Sequence, residues 1–252
     1  MQPLTNESYW EKHFENANSV NRNLEHQFAD FLPTFDRVPN YSRKKIDAIF
    51  EVGCFPGRYL HFLSKRWDAV ANGIDFVRDF GSMNQFFKSS ETKVGQLIQG
   101  DFFQSTPQNQ FDVVISIGFI EHFPDPLEVL IQQSKWVMDG GLMLVTVPNK
   151  RFFRIPFAFL FDQENQKAHV LKSMRISFFQ EVARKQGWEL MECRYVGGFN
   201  SKVHQPLNAL QRLAYRPLKA LIKRLNPILK KYPSKWYSHT LVAVYRLPSS
   251  KI

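Results

Sequence analysis

Five short apolar runs with helical patterns between them constrain this chain more than any other feature. The runs are "AIFEVG" (48–53), "VANGID" (70–75), "QLIQGD" (96–101), "FDVVISIG" (111–118) and "GLMLVTVP" (141–148). Segments 57–66, 77–89 and 126–138 between them carry apolar residues at helical spacing. Strands of near-continuous apolar character are those buried on both faces. Regular β-α alternation therefore predicts a parallel sheet covered by helices on both sides. With 252 residues and 44% hydrophobic content there is enough chain for one sizeable core. No internal repeat and no low-complexity tract interrupts the pattern.

After Pro148 the rhythm changes. Residues 149–174 form an aromatic-rich insertion, a helix is expected near 175–186 with Gly187 ending it, and 188–196 and 238–247 read as two further strands. At the other end, residues 7–32 read as a helix with Tyr9, Trp10 and Phe14 on one side, a lid or an ordinary packed helix. The polar N-terminus does not resemble a secretory signal, and no run approaches the roughly 20 apolar residues that span a bilayer. The two cysteines, Cys54 and Cys193, lack metal-ligand spacing. A reduced, cytoplasmic setting is the expectation.

Net charge is +10, but residues 1–192 sum to −2, whereas 193–252 hold 12 Lys/Arg and no acid. Most of that excess lies between the last two strands. In "PLNALQRLAYRPLKALIKRLNPILKKY" (206–232), Leu207, Leu210, Leu213, Leu218, Leu221, Ile222, Leu225, Ile228 and Leu229 recur at helical spacing and basic residues fill the rest. Pro217 and Pro227 are expected to cut it into two or three short helices. A basic amphipathic segment suits an anionic membrane surface or a partner. The competing reading is a cap that packs its leucines on the sheet edge and turns its charges to water.

The first strand ends in "EVGCFPGRYL". A loop at a strand's carboxyl end that runs into a helix offers free N–H groups to an anion. A dinucleotide loop would need glycines at 53, 55 and 58, but Phe55 and Arg58 stand at two of these positions; the G-K-[ST] of a P-loop is absent. What remains is Glu51-x-Gly53-x-x-x-Gly57.

This loop resembles the first motif of the class I S-adenosylmethionine-dependent methyltransferases, acid-x-Gly-x-Gly-x-Gly, lacking only the middle glycine. The resemblance continues in order over roughly residues 45–196. It implies a Rossmann-like sheet of about seven strands, the last antiparallel, with a helical insertion near the C-terminus. It divides the chain into an N-terminal helical lid (1–45), a cofactor-binding core (46–148), the aromatic insertion (149–174) and a basic insertion (197–237), all within one domain. The cofactor implied is S-adenosylmethionine, held by Glu51, Gly53, Cys54, Phe55, Gly57, Asp75, Phe76, Asp101, Phe102 and Ile117. Asp75, 22 residues after Gly53, would grip the ribose hydroxyls, since a carboxylate accepts two hydrogen bonds from a diol. Asp101 would read the adenine amino group and Phe102 cover the ring. The plainer alternatives are turn glycines at 53 and 57, a helix N-cap at Asp75 and a turn cap at Asp101.

"FDVVISIGFIEHFPDP" (111–126) resembles the fourth motif of small-molecule O-methyltransferases. Methyl transfer to a hydroxyl needs a base, and His122 has a suitable ordinary pKa. Glu121 lies beside it. His169, in the insertion, is a second base, a substrate clamp or an exposed loop residue. Glu121 and His122 match part of the E-x-x-E-H metal pattern of ubiquinone-type enzymes. Gly118 replaces the first carboxylate, so no tightly bound metal is expected. The N/D-P-P-Y/F sequence of base-modifying enzymes is missing, which argues against nucleic acid. The resemblance of the insertion and "PNKRFF" points to small hydroxyl acceptors, sugars of surface glycans first and quinols second. A non-catalytic binding module on the same fold is the rival from another class.

Overall fold

In a computed structural model, residues 2, 4–5, 23–76 and 80–249 are described; residues 7–22 of the helix expected over 7–32, with Tyr9, Trp10 and Phe14, lie outside them. Seven strands form one sheet in the order β3-β2-β1-β4-β5-β7-β6. They are β1 (Ala48–Val52), β2 (Val70–Asp75), β3 (Val94–Gln99), β4 (Phe111–Ile117), β5 (Val137–Pro148), β6 (Glu189–Val196) and β7 (Thr240–Arg246). β1 to β5 run parallel; β7 is antiparallel to both β5 and β6. The strand order reverses between β1 and β4, so their carboxyl ends open a crevice there.

Two apolar layers cover the sheet because β1 and β4 bury both faces. Ile49, Val113 and Ile115 point to one layer with Leu60, Leu63 and Phe87. Phe50, Val52 and Val114 point to the other with Val129, Trp136 and Phe179. The first layer is supplied by three short helices, α1 (Leu24–Gln27), α2 (Leu32–Phe35) and α3 (Val38–Tyr41), and by α4 (Arg58–Trp67) and α5 (Phe80–Ser89). The second is supplied by α6 (Pro126–Ser134) and α9 (Ile176–Gln186). Between them lie α7 (Arg154–Phe161) and α8 (Gln163–Lys167) in the insertion, and α10 (Ala209–Lys231) joins β6 to β7.

Three expectations need correction. The helix read up to residue 32 is broken at 28–31, where Phe31 donates to Phe28 O in a turn. The helix expected over 126–138 stops at Ser134, and β5 begins at Val137. An irregularity in the β4–β5 register falls inside β5, where Gly140 has φ 70°. Most notably, Pro217 and Pro227 do not divide α10, which is a continuous 23-residue helix. Both prolines are exposed, so water can reach the carbonyls left without a donor. The opposite stripe, Tyr215, Leu218 and Ile222, is held against Phe157, Phe161 and Phe199, and Asn226 exchanges hydrogen bonds with the Phe199 backbone.

A buried charge cluster ties α2 and α3 to β6. Glu192 accepts from Thr34 Oγ1 (2.6 Å), Arg37 (2.8 and 2.9 Å), Tyr41 (2.9 Å) and Arg194 Nε (2.6 Å).

Candidate active site

The crevice at the β1/β4 reversal deepens into a cavity of about 750 Å³, within the range that holds small molecules. Its first wall is the loop after β1. Gly53 has φ 74°, and a Cβ there would come within 2.9 Å of Phe119. Gly57 has φ 88° and donates its N–H to Cys54 O at 2.7 Å; a Cβ would strike Phe87 and Met83. These glycines are therefore required where the backbone is left-handed and crowded. Phe55 is not among the described residues with positive φ. Its side chain is buried, joins the core layer that contains Phe87 and edges the cavity. Its N–H donates to Asp75 Oδ2 at 2.9 Å, so the carboxylate at the end of β2 clamps the loop at the end of β1.

Of the residues named from the sequence, Glu51, Gly53, Cys54, Phe55, Asp75, Phe76, Asp101, Phe102, Ile117, Glu121, His122 and His169 line this one cavity; Gly57 does not, and acts behind the wall. Glu51 is buried with Oε2 lacking a hydrogen-bond partner, and burial, then the charge of Asp75, pushes its carboxyl far up. Asp101 spends both oxygens on its own turn, accepting from Phe103 N–H (2.9 Å) and Gln104 Nε2 (3.1 Å). Those bonds are the turn cap of the plainer alternative, and each oxygen keeps further acceptor capacity. Phe102 stands edge-on to Phe103 and Phe119, forming an aromatic wall.

The second wall carries the polar chemistry. A 3₁₀ turn, Ile120–His122, follows β4 and buries Glu121 and His122. His122 Nδ1 lies 3.0 Å from Ala168 O, and His169 Nδ1 lies 2.6 Å from Asn165 O. A carbonyl only accepts, so in the neutral rings Nδ1 carries the proton and Nε2 is the acceptor nitrogen. The two rings are 4.5 Å apart, and His122 Nε2 is 3.8 Å from Glu121 Oε1. Burial pushes the Glu121 carboxyl up to about 8, and its Oε2 has no partner. His169 is driven far down by burial, then by the Lys150 and His122 charges.

Glu121, His122 and His169 each place a ligand atom within 4.8 Å of the others. The expectation of no tightly held metal was argued from Gly118. The insertion brings His169 to the pair, a third donor that spacing could not connect to them.

Sequence reasoning missed the rest of this wall. Lys150 and Arg154 in the insertion, Asn165 on α8, His204 before α10 and His239 before β7 all border the cavity. Asp162 is the buried hub for three of them: it pairs with Arg154 at 2.5 Å and accepts from Asn165 Nδ2 (2.8 Å) and His204 N–H (2.9 Å). The detectable signal was polar residues interrupting the aromatic run after Pro148. Gly197 was also unread, although a Cβ there would overlap His239, which bonds Asp30 at 3.0 Å.

Cavity and cradle fit an S-adenosyl cofactor: two obligatory glycines, a carboxylate at the neighbouring strand end, an aromatic wall and an unpartnered carboxyl oxygen. A family described as "Methyltransferase domain" matches residues 20–192. The chain is similar to a ubiquinone biosynthesis O-methyltransferase of Hydrogenovibrio crunogenus, 27% identical over 49% of each chain. It is also similar to a trans-aconitate 2-methyltransferase of Mycobacterium ulcerans, 24% identical over 48% of this chain and 45% of that one. The matches thus span about half the length of these relatives. Solved structures share the fold: a SAM-dependent methyltransferase from Archaeoglobus fulgidus (TM-score 0.52, 17% identity, 95% and 98% of the two chains) and the plantazolicin methyltransferase BpumL (0.57, 17%, 96% and 93%).

Proposed function

The chain belongs to the methyltransferase-domain family, and on that premise we propose that it transfers a methyl group from S-adenosylmethionine to a hydroxyl of a small acceptor. The bound cofactor supplies the activated methyl on its sulfonium. The chain's own work is to position and to deprotonate. Gly53, Phe55 and Asp75 hold the cofactor loop, Phe102 and Phe119 exclude water on one side, and the Glu121–His122 turn meets the acceptor on the other. The observation that carries this reading is the orientation of His122. Its Nδ1–H is directed at Ala168 O, which presents Nε2 as the basic atom inside the cavity. There it can take the hydroxyl proton as the oxygen attacks in line. Glu121, largely protonated near neutrality, does not compete for that proton.

The sequence pointed first to a sugar hydroxyl of a surface glycan. The relatives' names concern ubiquinone biosynthesis and trans-aconitate, so they favour a quinol or another small-molecule acceptor, and the glycan acceptor becomes the second reading. No tightly held metal is required, and nucleic acid is not an expected substrate. The test is transfer of labelled methyl to quinols, sugars and small acids. His122→Ala should lower turnover by about 10²–10⁴-fold with cofactor affinity unchanged. Full turnover in that variant would remove His122 as the base.

We further propose that α10 rests on an anionic membrane surface. No helix of the described residues is long and apolar enough to cross a membrane. Leu218 and Ile222 face inward, but Leu210, Leu213, Leu221, Leu225 and Ile228 are exposed, Leu210 at 76%. Phe153, at the start of α7, and Ile155, Phe159 and Leu160 on it are exposed too, Phe159 at 70%. The leucines therefore do not cap the sheet edge as the plainer reading had it. Seven Lys/Arg accompany them in 206–232, with no acid, and each contributes about 1 kcal/mol near anionic lipid.

A further inference from the structure

One cation in the acceptor end of the cavity has no ion-pair partner among the described residues. Arg154 is paired with Asp162 and donates to the carbonyls of Asn200 and Lys202. His169 is tied to Asn165 O, and His239 to Asp30 and Thr240. Lys150 is different. It follows β5 by two residues, is only 8% exposed and lines the cavity, yet its ammonium makes no ion pair and no hydrogen bond among the described residues. Its backbone is fixed at both ends: its N–H points to Met174 Sδ (3.2 Å), and its carbonyl accepts from Gln166 Nε2 (2.8 Å). A buried ammonium without a counter-charge is costly and is retained only when something pairs with it.

The carboxylates of the site do not meet that need. Asp162 is committed to Arg154, and Glu51, Asp75 and Asp101 belong to the cofactor wall. Glu121, the one acid of the acceptor turn, makes no ion pair with Lys150 among the described residues and attracts it only from a distance. Lys150, lowered to about 8 by burial and then by the Arg154 charge, still carries its proton for the most part at pH 7. This end of the cavity thus holds a buried ammonium that has no ion-pair partner among the described residues and that Asp162 and Glu121 attract only from a distance.

We propose that the acceptor bears an anionic group, a carboxylate or a phosphate, that pairs with Lys150 while its hydroxyl lies against the Glu121–His122 turn. This rests on the methyl-transfer reading and narrows it to hydroxylated acids or phosphorylated hydroxy compounds. The anion also orients the acceptor: one end fixed at the insertion, the other directed to Nε2 of His122. A divalent cation on Glu121, His122 and His169 is the rival occupant of this end. The ammonium disfavours it by like-charge repulsion in a medium of low dielectric.

The experiment is calorimetric titration of the full chain, saturated with S-adenosylhomocysteine, using benzoate, phenyl phosphate and neutral benzamide, then Mg²⁺ and Zn²⁺. A charge-assisted contact predicts that an anionic probe binds at least about tenfold tighter than the amide. Preference for benzoate or for phenyl phosphate identifies the anion. Lys150→Met should erase the preference, leave S-adenosylhomocysteine affinity unchanged and raise the melting temperature of the ligand-free protein. Equal binding of acid and amide, no binding of either anion at millimolar concentration, or a preference that survives Lys150→Met overturns the proposal. So does micromolar binding of a metal that is lost in His169→Ala. If S-adenosylhomocysteine does not bind, the methyl-transfer reading fails on its own, and the acid-against-amide comparison on the ligand-free chain still judges Lys150.

Discussion

Asp75 is where loop structure and cofactor affinity meet, and Asp75→Ala separates them from the rest of the fold. Its Oδ2 accepts the Phe55 N–H at 2.9 Å, a charge-assisted bond in a nearly dry setting. Such bonds contribute about 1.5–3 kcal/mol each. Two more, to the ribose diol, are expected only when the cofactor is bound. Asp75→Ala removes the diol pair directly and releases the loop that presents Gly53 and Phe55 to the ligand. Counting the diol bonds alone gives roughly 3–6 kcal/mol, or a Kd for S-adenosylhomocysteine raised by about 10²–10⁴. Asp75→Asn keeps an oxygen for the Phe55 N–H but loses the charge, so it should fall between. The substitution also removes the charge that helps keep Glu51 protonated, so binding by the Ala variant should gain a pH dependence as Glu51 ionises. Calorimetry with S-adenosylhomocysteine at pH 6 and pH 8, alongside a urea melt, reads all of this. Unchanged affinity in Asp75→Ala, with the protein folded, would refute the assignment of this cavity wall to the cofactor.

Two further outcomes probe other parts of the molecule. Burial would raise the Glu192 carboxyl, but its bonds from Arg37, Thr34, Arg194 and Tyr41 prevail and hold it at about 2, below the ordinary 4.5. A depressed carboxyl contributes stability above its unfolded pKa and loses it as pH falls through the folded one. Glu192→Gln should therefore cost roughly 2–3 kcal/mol at pH 7, a gap that closes between about pH 4.5 and 2 in urea melts; a gap constant with pH would mean the cluster acts by packing alone. For the α10 face, flotation with vesicles rich in anionic lipid should be lost in a Leu210→Ser/Leu213→Ser/Ile228→Ser variant and weakened by salt. Equal flotation of variant and parent would leave this face without a membrane role.

The strands were legible because burial on both faces writes itself as unbroken apolar runs: β1, β2 and β4 lie within a residue of where periodicity placed them. The cofactor wall was legible for the same reason, since its residues sit at the ends of those strands. The boundary between α6 and β5 was not, because Trp136, Val137 and Met138 continue the helix's apolar pattern in sequence while Val137 already pairs with Phe111 in the sheet. Nor was the acceptor wall. Lys150, Asp162, His204 and His239 are brought together across the insertion, the loop before α10 and the start of β7, and no local period links residues whose only relation is contact. α10 shows the opposite failure. The nine Leu and Ile positions of 206–232 read as one face, yet the helix turns Leu218 and Ile222 inward and exposes Leu210, Leu213, Leu221, Leu225 and Ile228. A stripe that wide has two sides, and packing against α7 decided which side was covered.

Phe55 shows what the glycine spacing of such a loop encodes. A motif with three glycines suggests three positions where a side chain is forbidden. Here the chain needs left-handed φ at only two of them, Gly53 and Gly57, and at both a Cβ would meet an aromatic ring. The middle residue has no such requirement, because its N–H is directed at Asp75 and its side chain turns into the layer containing Phe87. Its ring then does what a glycine cannot: it closes the core side of the loop while one edge remains in the cavity wall. The missing glycine is thus compensated by the carboxylate clamp, and the two features form one device. It follows that Phe55→Gly would restore the common motif and loosen the loop, since the backbone freedom gained has no conformation to serve.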